Sequence, residues 1–314
     1  MIQSLYNTGL LVNQMHYLIG IDAGGTKTAA AAYDSVSGER LCGVEGPQGS
    51  FSVDSISASE NVINAIEACM EICGEACEFI CVGAAGLGDP LKRKLLSDKL
   101  VEHFRCSVLV VDDGRLALHA ALGGNDGLLV ISGTGSIVYG KKGSNVRRYG
   151  GWGHLLDDRG SGYDISISAF RQMMADYDAG KQMSPLSCAV MRFLHVETVQ
   201  EVVSFLYSVP KGKIASIVPV VAKLAQGGDP QAAALLDCAG ERLAEMAVNL
   251  CKKMQFEAVR IVPMGSILLK CRPVAYSFRE YVKHKLPDAQ LITSTNEPTK
   301  GGYYLYQSLQ NEEE

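Results

Sequence analysis

Two stretches of this chain have the residues to hold a phosphate chain, and an aspartate further on could activate a hydroxyl. Residues 17–34 read Tyr-Leu-Ile-Gly-Ile-Asp-Ala-Gly-Gly-Thr-Lys-Thr-Ala-Ala-Ala-Ala-Tyr-Asp, and residues 128–140 read Leu-Leu-Val-Ile-Ser-Gly-Thr-Gly-Ser-Ile-Val-Tyr-Gly. Each is an apolar run, a tip of small and hydroxyl residues, and a second apolar run, the pattern of a β-hairpin. Glycine at such a tip lets backbone amides approach a ligand with no Cβ in the way. Amides and hydroxyls together then form a nest for phosphate oxygens. In the first tip Gly24, Gly25, Thr26 and Lys27 would face the phosphates, Lys27 as a point charge; in the second, Gly133, Thr134 and Gly135 would do so. Asp22, at the end of the first strand, would repel phosphate unless a divalent cation stood between them, which suits it to hold Mg²⁺ through water. An ordinary hairpin turn is the plainer alternative at either tip, and the recurrence of the pattern argues against it.

Asp112-Asp113 ends the apolar strand that begins at Ser107. Successive side chains on extended chain point opposite ways, so the two carboxylates face different surroundings. One can accept the proton of a hydroxyl that attacks phosphorus, while the other caps the helix that follows. Catalysis is assigned to Asp113, and capping or metal support to Asp112. Trp152, the only tryptophan, lies in Gly150-Gly-Trp-Gly-His154. It could stack on a sugar ring, donate its indole N–H to a hydroxyl, or plug the core beneath it. Asp158 precedes Gly160-Ser-Gly162 and could accept hydrogen bonds from vicinal hydroxyls or cap a helix. Gly265-Ser266, after an apolar strand, would let a flat base lie against the backbone. The histidines show no metal or triad spacing, and there is no Gly-x-Ser-x-Gly elbow.

These groups need a sizeable scaffold, and 314 residues with 47% apolar content provide one of two domains. A net charge of −5 without a Lys/Arg block argues against a nucleic-acid partner. No apolar run reaches the roughly 20 residues of a membrane span, and residues 1–14 lack a basic start and a cleavage site. Ten scattered cysteines in a chain of this length point to a reducing cytoplasm. Cys69, Cys73, Cys77 and Cys81 recur every fourth residue, but Gly74-Glu75 breaks the helix and residues 79–82 read as a strand. The stripe is therefore read as small buried thiols, not as a metal site.

The periodicities predict strands at 17–22, 28–34 and 40–45, a helix at 55–73 and a strand at 78–84. A helix at 90–104, a strand at 107–112 and a helix at 114–122 come next. The turn-rich Gly123-Gly-Asn-Asp-Gly127 marks a boundary. After the second hairpin, helices dominate from about 160 to 254. A strand at 258–263 with a helix behind it, a short strand near 289–292 and a helix from Gly301 complete the chain. The order suits α/β domains with mixed sheets flanked by helices, and its approximate repetition suggests two related domains with a central cleft. The expected division is an extension at 1–15, a first domain at 16–122 with the helix 303–314 packing back on it, and a second domain at 123–302.

These motifs together resemble the actin-like (ribonuclease H-like) ATPase superfamily and, within it, the BadF/BadG/BcrA/BcrD-type group and its N-acetylglucosamine and glucosamine kinases. The likeness rests on Asp22-Ala-Gly-Gly-Thr-Lys-Thr28, Ser132-Gly-Thr-Gly-Ser136, Gly150-Gly-Trp-Gly-His154 with Asp158 and Ser161, and Val262-Pro-Met-Gly-Ser266, and covers about residues 16–302. It implies ATP- and Mg²⁺-dependent phosphorylation of the 6-hydroxyl of an amino sugar, and it allows a homodimer. By the same likeness Asp113 corresponds to the base, and Thr26 and Thr134 to ATP-phosphate contacts. Ala215 corresponds to a nucleotide contact, and Gly151, Trp152, Gly153 and Asp158 to sugar contacts. Three positions depart from the family pattern. Ser50 stands where an Asn that helps hold the sugar is usual, Arg159 where a Glu often follows Asp158, and Tyr303 after the Gly301-Gly302 pair. Two other functions fit the broad group: an ATP-hydrolysing activator of a 2-hydroxyacyl-CoA dehydratase or benzoyl-CoA reductase type system, and a non-catalytic sugar sensor. The activator would want cysteine beside the second tip, where Ser132 and Gly133 stand. The sensor would want a DNA-binding module, for which the residues before the first strand are too few.

Overall fold

The computed structural model describes residues 16–52 and 54–313; the expected extension at 1–15 lies outside them. The chain divides into two compact units, one comprising Met1–Gly124 with Asn296–Glu314, the other Asn125–Thr295.

The first unit is built on strands β1 (Tyr17–Ala23), β2 (Thr28–Asp34), β3 (Arg40–Gly46), β4 (Cys77–Ala84) and β5 (Ser107–Asp112) in the order β3-β2-β1-β4-β5. β1 and β2 form the first hairpin, antiparallel from Tyr17 opposite Asp34 to Ala23 opposite Thr28, whereas β4 runs parallel to β1. Its helices are α1 (Ser55–Cys73), α2 (Pro90–Phe104) and α3 (Asp113–Leu122). Ile19, Ile21, Ala30, Ala32, Ile80 and Val82 enter one apolar cluster with Val62 and Ile66 of α1; Leu18, Ala31, Tyr33 and Phe79 enter another with Leu116 of α3. A sheet covered on both faces needs apolar residues at nearly every position, which is why β1 and β2 read as unbroken runs.

The second unit repeats the plan. Its strands β6 (Gly127–Ser132), β7 (Ser136–Lys142), β8 (Asn145–Gly150), β9 (Arg260–Met264) and β10 (Gln290–Leu291) are ordered β10-β9-β6-β7-β8. The hairpin pair β6–β7 is antiparallel and β6–β9 parallel, the senses seen around β1. Between β8 and β9 lie α4 (Gly162–Asp178), α5 (Pro185–Leu194), α6 (Val199–Ser208), α7 (Lys211–Ala215), α8 (Val218–Gln226) and α9 (Pro230–Lys253); α10 (Ser266–Lys270) and α11 (Arg272–Lys285) follow β9. Strand β8, with Arg147-Arg148 in its middle, carries no alternation that would have predicted it.

The chain ends in a 3₁₀ turn at Pro298–Lys300 and in α12 (Gly301–Glu313). Residues 296–302, expected in the second domain, belong instead to the first unit. The reason is close packing on β1. A Cβ on Gly20 would stand 1.9 Å from the Thr299 carbonyl oxygen, and one on Gly302 would stand 3.0 Å from the Gly20 Cα. Only glycines let these backbones meet. Tyr303 donates its hydroxyl to the Val36 carbonyl at 3.1 Å, so the bulk that departs from the family pattern is absorbed within the first unit.

Candidate active site

The candidate residues divide between the two units, and each unit assembles its own set. In the first unit the hairpin tip 24–27 is braced from below. The Gly24 amide donates to the Lys27 carbonyl at 3.0 Å, and the Gly49 amide to the Gly24 carbonyl at 3.0 Å. Gly25, Thr26 and Lys27 are left exposed. Lys27 is paired with Glu45 of β3, so its charge is directed along the sheet edge until a stronger anion competes for it. The second bond fastens the loop that holds Ser50. Ser50 is itself buried, and its hydroxyl oxygen accepts the Ser52 amide at 3.4 Å.

Asp112 caps α3, accepting the Arg115 amide at 3.0 Å, which leaves the neighbouring carboxylate for other work. Asp113 accepts the Gly114 amide at 2.9 Å and otherwise lies at the surface of the unit. Desolvation by the surrounding protein pushes its carboxyl upward, opposed by the Gly114 hydrogen bond. Asp22 is pushed to about 6, first by burial and then by the charge of Asp113, with Lys27 pulling the other way. The fold thus brings together two carboxylates that are distant in sequence and concentrates negative charge beside the glycine tip. Asp22 also lines a cavity of about 350 Å³ with Lys27, Arg40, Glu45 and Glu297. A carboxylate that resists ionisation next to another carboxylate is relieved by a divalent cation, and Mg²⁺ needs only one or two protein carboxylates when phosphates and water complete its shell. The residues present fit that ion.

In the second unit the tip 132–136 is stitched to the start of α4. The Gly133 amide donates to the Gly135 carbonyl at 2.9 Å, Gly162 to the Gly133 carbonyl at 2.8 Å, and Tyr163 to the Thr134 carbonyl at 3.2 Å. The N-terminus of a 17-residue helix therefore abuts the tip and adds its positive field there. The cap of α4 is Ser161, not Asp158. Asp158 instead lies buried behind the tip. It accepts the Ser136 amide at 3.2 Å, and its second carboxylate oxygen has no protein partner. It holds this position at φ +63, a left-handed conformation. Arg159 pairs with Asp157 at 3.1 Å.

Gly265 holds φ +89 where β9 passes the end of β6, and a Cβ there would stand 2.2 Å from the Ser132 carbonyl oxygen. The following residues Ser266 and Ile267 line a cavity of about 700 Å³ with Ala215, Ser216, Pro219 and Lys223. Ala215 also lies against Gly162, where an added Cβ would come within 3.3 Å of the Ala215 methyl. The second tip, Ala215 and the 264–266 turn thus converge around the start of α4. Lys223 and Lys270 in the cavity wall were not singled out from sequence, since neither lies in a motif. Trp152 is 64% exposed, which excludes the plug reading, and the Arg148 guanidinium lies 4.1 Å from its ring centroid.

Comparison with known proteins identifies the family of the chain. The sequence model of the BadF/BadG/BcrA/BcrD ATPase family matches residues 19–301. An N-acetylmuramic acid/N-acetylglucosamine kinase of Clostridium acetobutylicum is 30% identical over 307 residues, spanning 94% of this chain and 99% of the relative. The glucosamine kinase GspK of Vibrio cholerae is 26% identical, over 81% of this chain and 85% of the relative. Among solved structures, a Chromobacterium violaceum protein provisionally assigned as an N-acetylglucosamine kinase superposes with a TM-score of 0.75 at 24% identity, covering 94% of this chain and 100% of that one. A ROK family glucokinase of Streptomyces griseus superposes at 0.54 with 18% identity, covering 93% and 98%.

Proposed function

The chain belongs to the BadF/BadG/BcrA/BcrD ATPase family, and from that premise we propose that it is an ATP-dependent kinase acting on the 6-hydroxyl of an amino sugar, N-acetylglucosamine or glucosamine. The observation that carries this reading is the pairing of Asp22 and Asp113 beside a glycine tip in the first unit. A phosphoryl transferase needs one carboxylate for the cation and another for the acceptor's proton.

Asp113 takes the proton of the sugar hydroxyl while its oxygen bonds to the γ-phosphorus and the bond to the β-phosphate oxygen breaks. A raised carboxyl is a better base near neutrality than an ordinary aspartate, since catalytic power peaks when the group's pKa approaches the working pH. In the first unit the Gly25 amide and the Thr26 hydroxyl, and in the second the Gly135 amide and the Thr134 hydroxyl, hold phosphate oxygens, while Gly24 and Gly133, whose amides bond within their own tips, set the shape of those tips. Mg²⁺, when bound, neutralises phosphate charge, and Asp22 would hold it through water. The nucleoside lies against Ala215 in the cavity of the second unit, beside the turn that Gly265 makes before Ser266. Gly151, Trp152 and Gly153 hold the sugar, with Trp152 as its platform. Ser50 and Asp158, both buried, act on the sugar by shaping the loops that carry its contacts.

Among the described residues no helix is long and apolar enough to cross a membrane. We place the protein in the cytoplasm, where ATP is available and where a reducing environment suits a chain whose ten cysteines are free thiols. The likeness allows a homodimer, and the mass in solution tests it.

The test is ADP release on a panel of N-acetylglucosamine, glucosamine, N-acetylmuramic acid and glucose, with and without Mg²⁺. Metal-dependent turnover of an amino sugar is expected. Absence of turnover on every sugar would remove the kinase reading.

A further inference from the structure

The cysteine stripe of the sequence resolves into something more specific than buried thiols. Helix α1 stops at its Gly74 cap, so Cys69 and Cys73 stay on the helix while Cys77 and Cys81 pass to β4. The cysteine that meets the helix comes from elsewhere. Cys42 on β3 stands with its sulfur 3.4 Å from that of Cys73, and its thiol points toward the Cys69 carbonyl at 4.0 Å. Cys42 and Cys73 are each partly exposed, whereas Cys69 is fully buried.

We propose that Cys42 and Cys73 form a reversible dithiol–disulfide site, oxidised by exchange with a small-molecule disulfide. A bonded sulfur pair stands at about 2.05 Å, so the two atoms need to close by only about 1.3 Å from their present separation. In the exchange one of the two thiolates attacks the small disulfide, releasing one thiol and leaving a mixed disulfide on the protein. The second cysteine, as thiolate, attacks that protein sulfur and expels the other small thiol. Two protein S–H bonds are lost, one S–S bond forms, and the small disulfide is reduced to two thiols. Burial and the neighbouring Cys42 raise the Cys73 thiol to about 12, so the exchange accelerates as the solution is made alkaline.

The site has a structural consequence. The chain between the two cysteines comprises the end of β3, the loop 47–54 and the whole of α1, and that loop carries Gly49, whose amide braces the first tip. Closing this loop covalently removes freedom from the unfolded chain and raises the thermal unfolding midpoint of the first unit, by roughly 5–10 °C for a loop of this size.

The test treats the purified full chain with oxidised glutathione, blocks remaining thiols, and cleaves at glutamate. Trypsin is unsuitable because no Lys or Arg lies between Arg40 and Lys92. Cleavage at glutamate separates Cys42 in residues 40–45 from Cys69 in 68–71 and Cys73 in 72–75. The expected product is peptide 40–45 joined to 72–75, restored to separate peptides by dithiothreitol. Its formation is abolished in both Cys42→Ser and Cys73→Ser and retained in Cys69→Ser. The oxidised wild type melts higher than the reduced one, and the shift is absent in Cys42→Ser. If the 40–45 peptide stays fully alkylated, carries only glutathione, or joins 68–71 instead, the proposal is overturned.

Discussion

Replacing Gly265 and Gly133 by alanine, one at a time, separates what the second unit needs to fold from what it needs to bind. At Gly265 the new Cβ would stand 2.2, 2.6 and 2.9 Å from the oxygen, carbon and nitrogen of Ser132, all backbone atoms at the end of a central strand. None of these can swing away as a side chain could. The backbone at φ +89 and ψ 160 is also a region that only glycine enters freely, at about 1–3 kcal/mol for other residues. Overpacking adds a similar amount, so Gly265→Ala should destabilise the unit by about 3 kcal/mol, or roughly 6–12 °C in its melting midpoint. At Gly133 the nearest atom to a new Cβ is the Ser266 hydroxyl at 3.7 Å, an ordinary contact, and φ is not left-handed. Gly133→Ala should therefore melt within about 0.5 kcal/mol of wild type. The methyl would project from the phosphate tip and displace about one amide–phosphate hydrogen bond, raising the KM for ATP about tenfold. Scanning calorimetry and ADP release measure the two effects. If Gly265→Ala melts with wild type, the packing argument is wrong; if Gly133→Ala keeps the wild-type KM, the tip does not hold phosphate.

Other perturbations address single roles. Asp113→Ala should lower kcat by about 10²–10⁴-fold with the KM for ATP little changed, and full turnover would remove it from the base role. Asp22→Asn should abolish Mg²⁺-dependent turnover yet stabilise the fold. With a carboxyl raised to about 6 in the folded state, the native protein holds its proton more tightly than the unfolded chain, so stability is lost as pH rises from about 4 to 6. The variant should escape that loss, gaining about 3 kcal/mol at pH 7.5 and about 1 at pH 4.5, and an equal gain at both would contradict the assignment. Asp158→Ala should cost about 1–3 kcal/mol through the lost Ser136 bond and the left-handed backbone, while Asp158→Asn, which tolerates that conformation, should cost less in the same melting experiment.

Most elements, though not β8, were legible in the sequence because their signals are local. Apolar runs of β1, β2, β6 and β7, the Asp-Pro starts of α2 and α9 and the Gly74 stop of α1 each lie within a few residues of the feature they specify. Adjacency alone showed that one of Asp112 and Asp113 could cap α3 while the other stayed spare, and the structure makes Asp112 the cap through the Arg115 amide. What tertiary structure decided was every property that depends on residues distant in the chain. The rise of the Asp22 carboxyl comes first from burial and then from the charge of Asp113 folded beside it, and neither exists until the chain is packed. Residues 296–302 join the first unit because Gly20 and Gly302 let backbones touch, a fact no periodicity encodes. Asp158 turns from an open sugar contact or helix cap into a buried brace for Ser136, and Cys42 meets Cys73 across the face of a sheet. Sequence specified which groups the protein has and the elements that bear them; the packing of those elements chose which groups face one another, since only packing sets distance and dielectric.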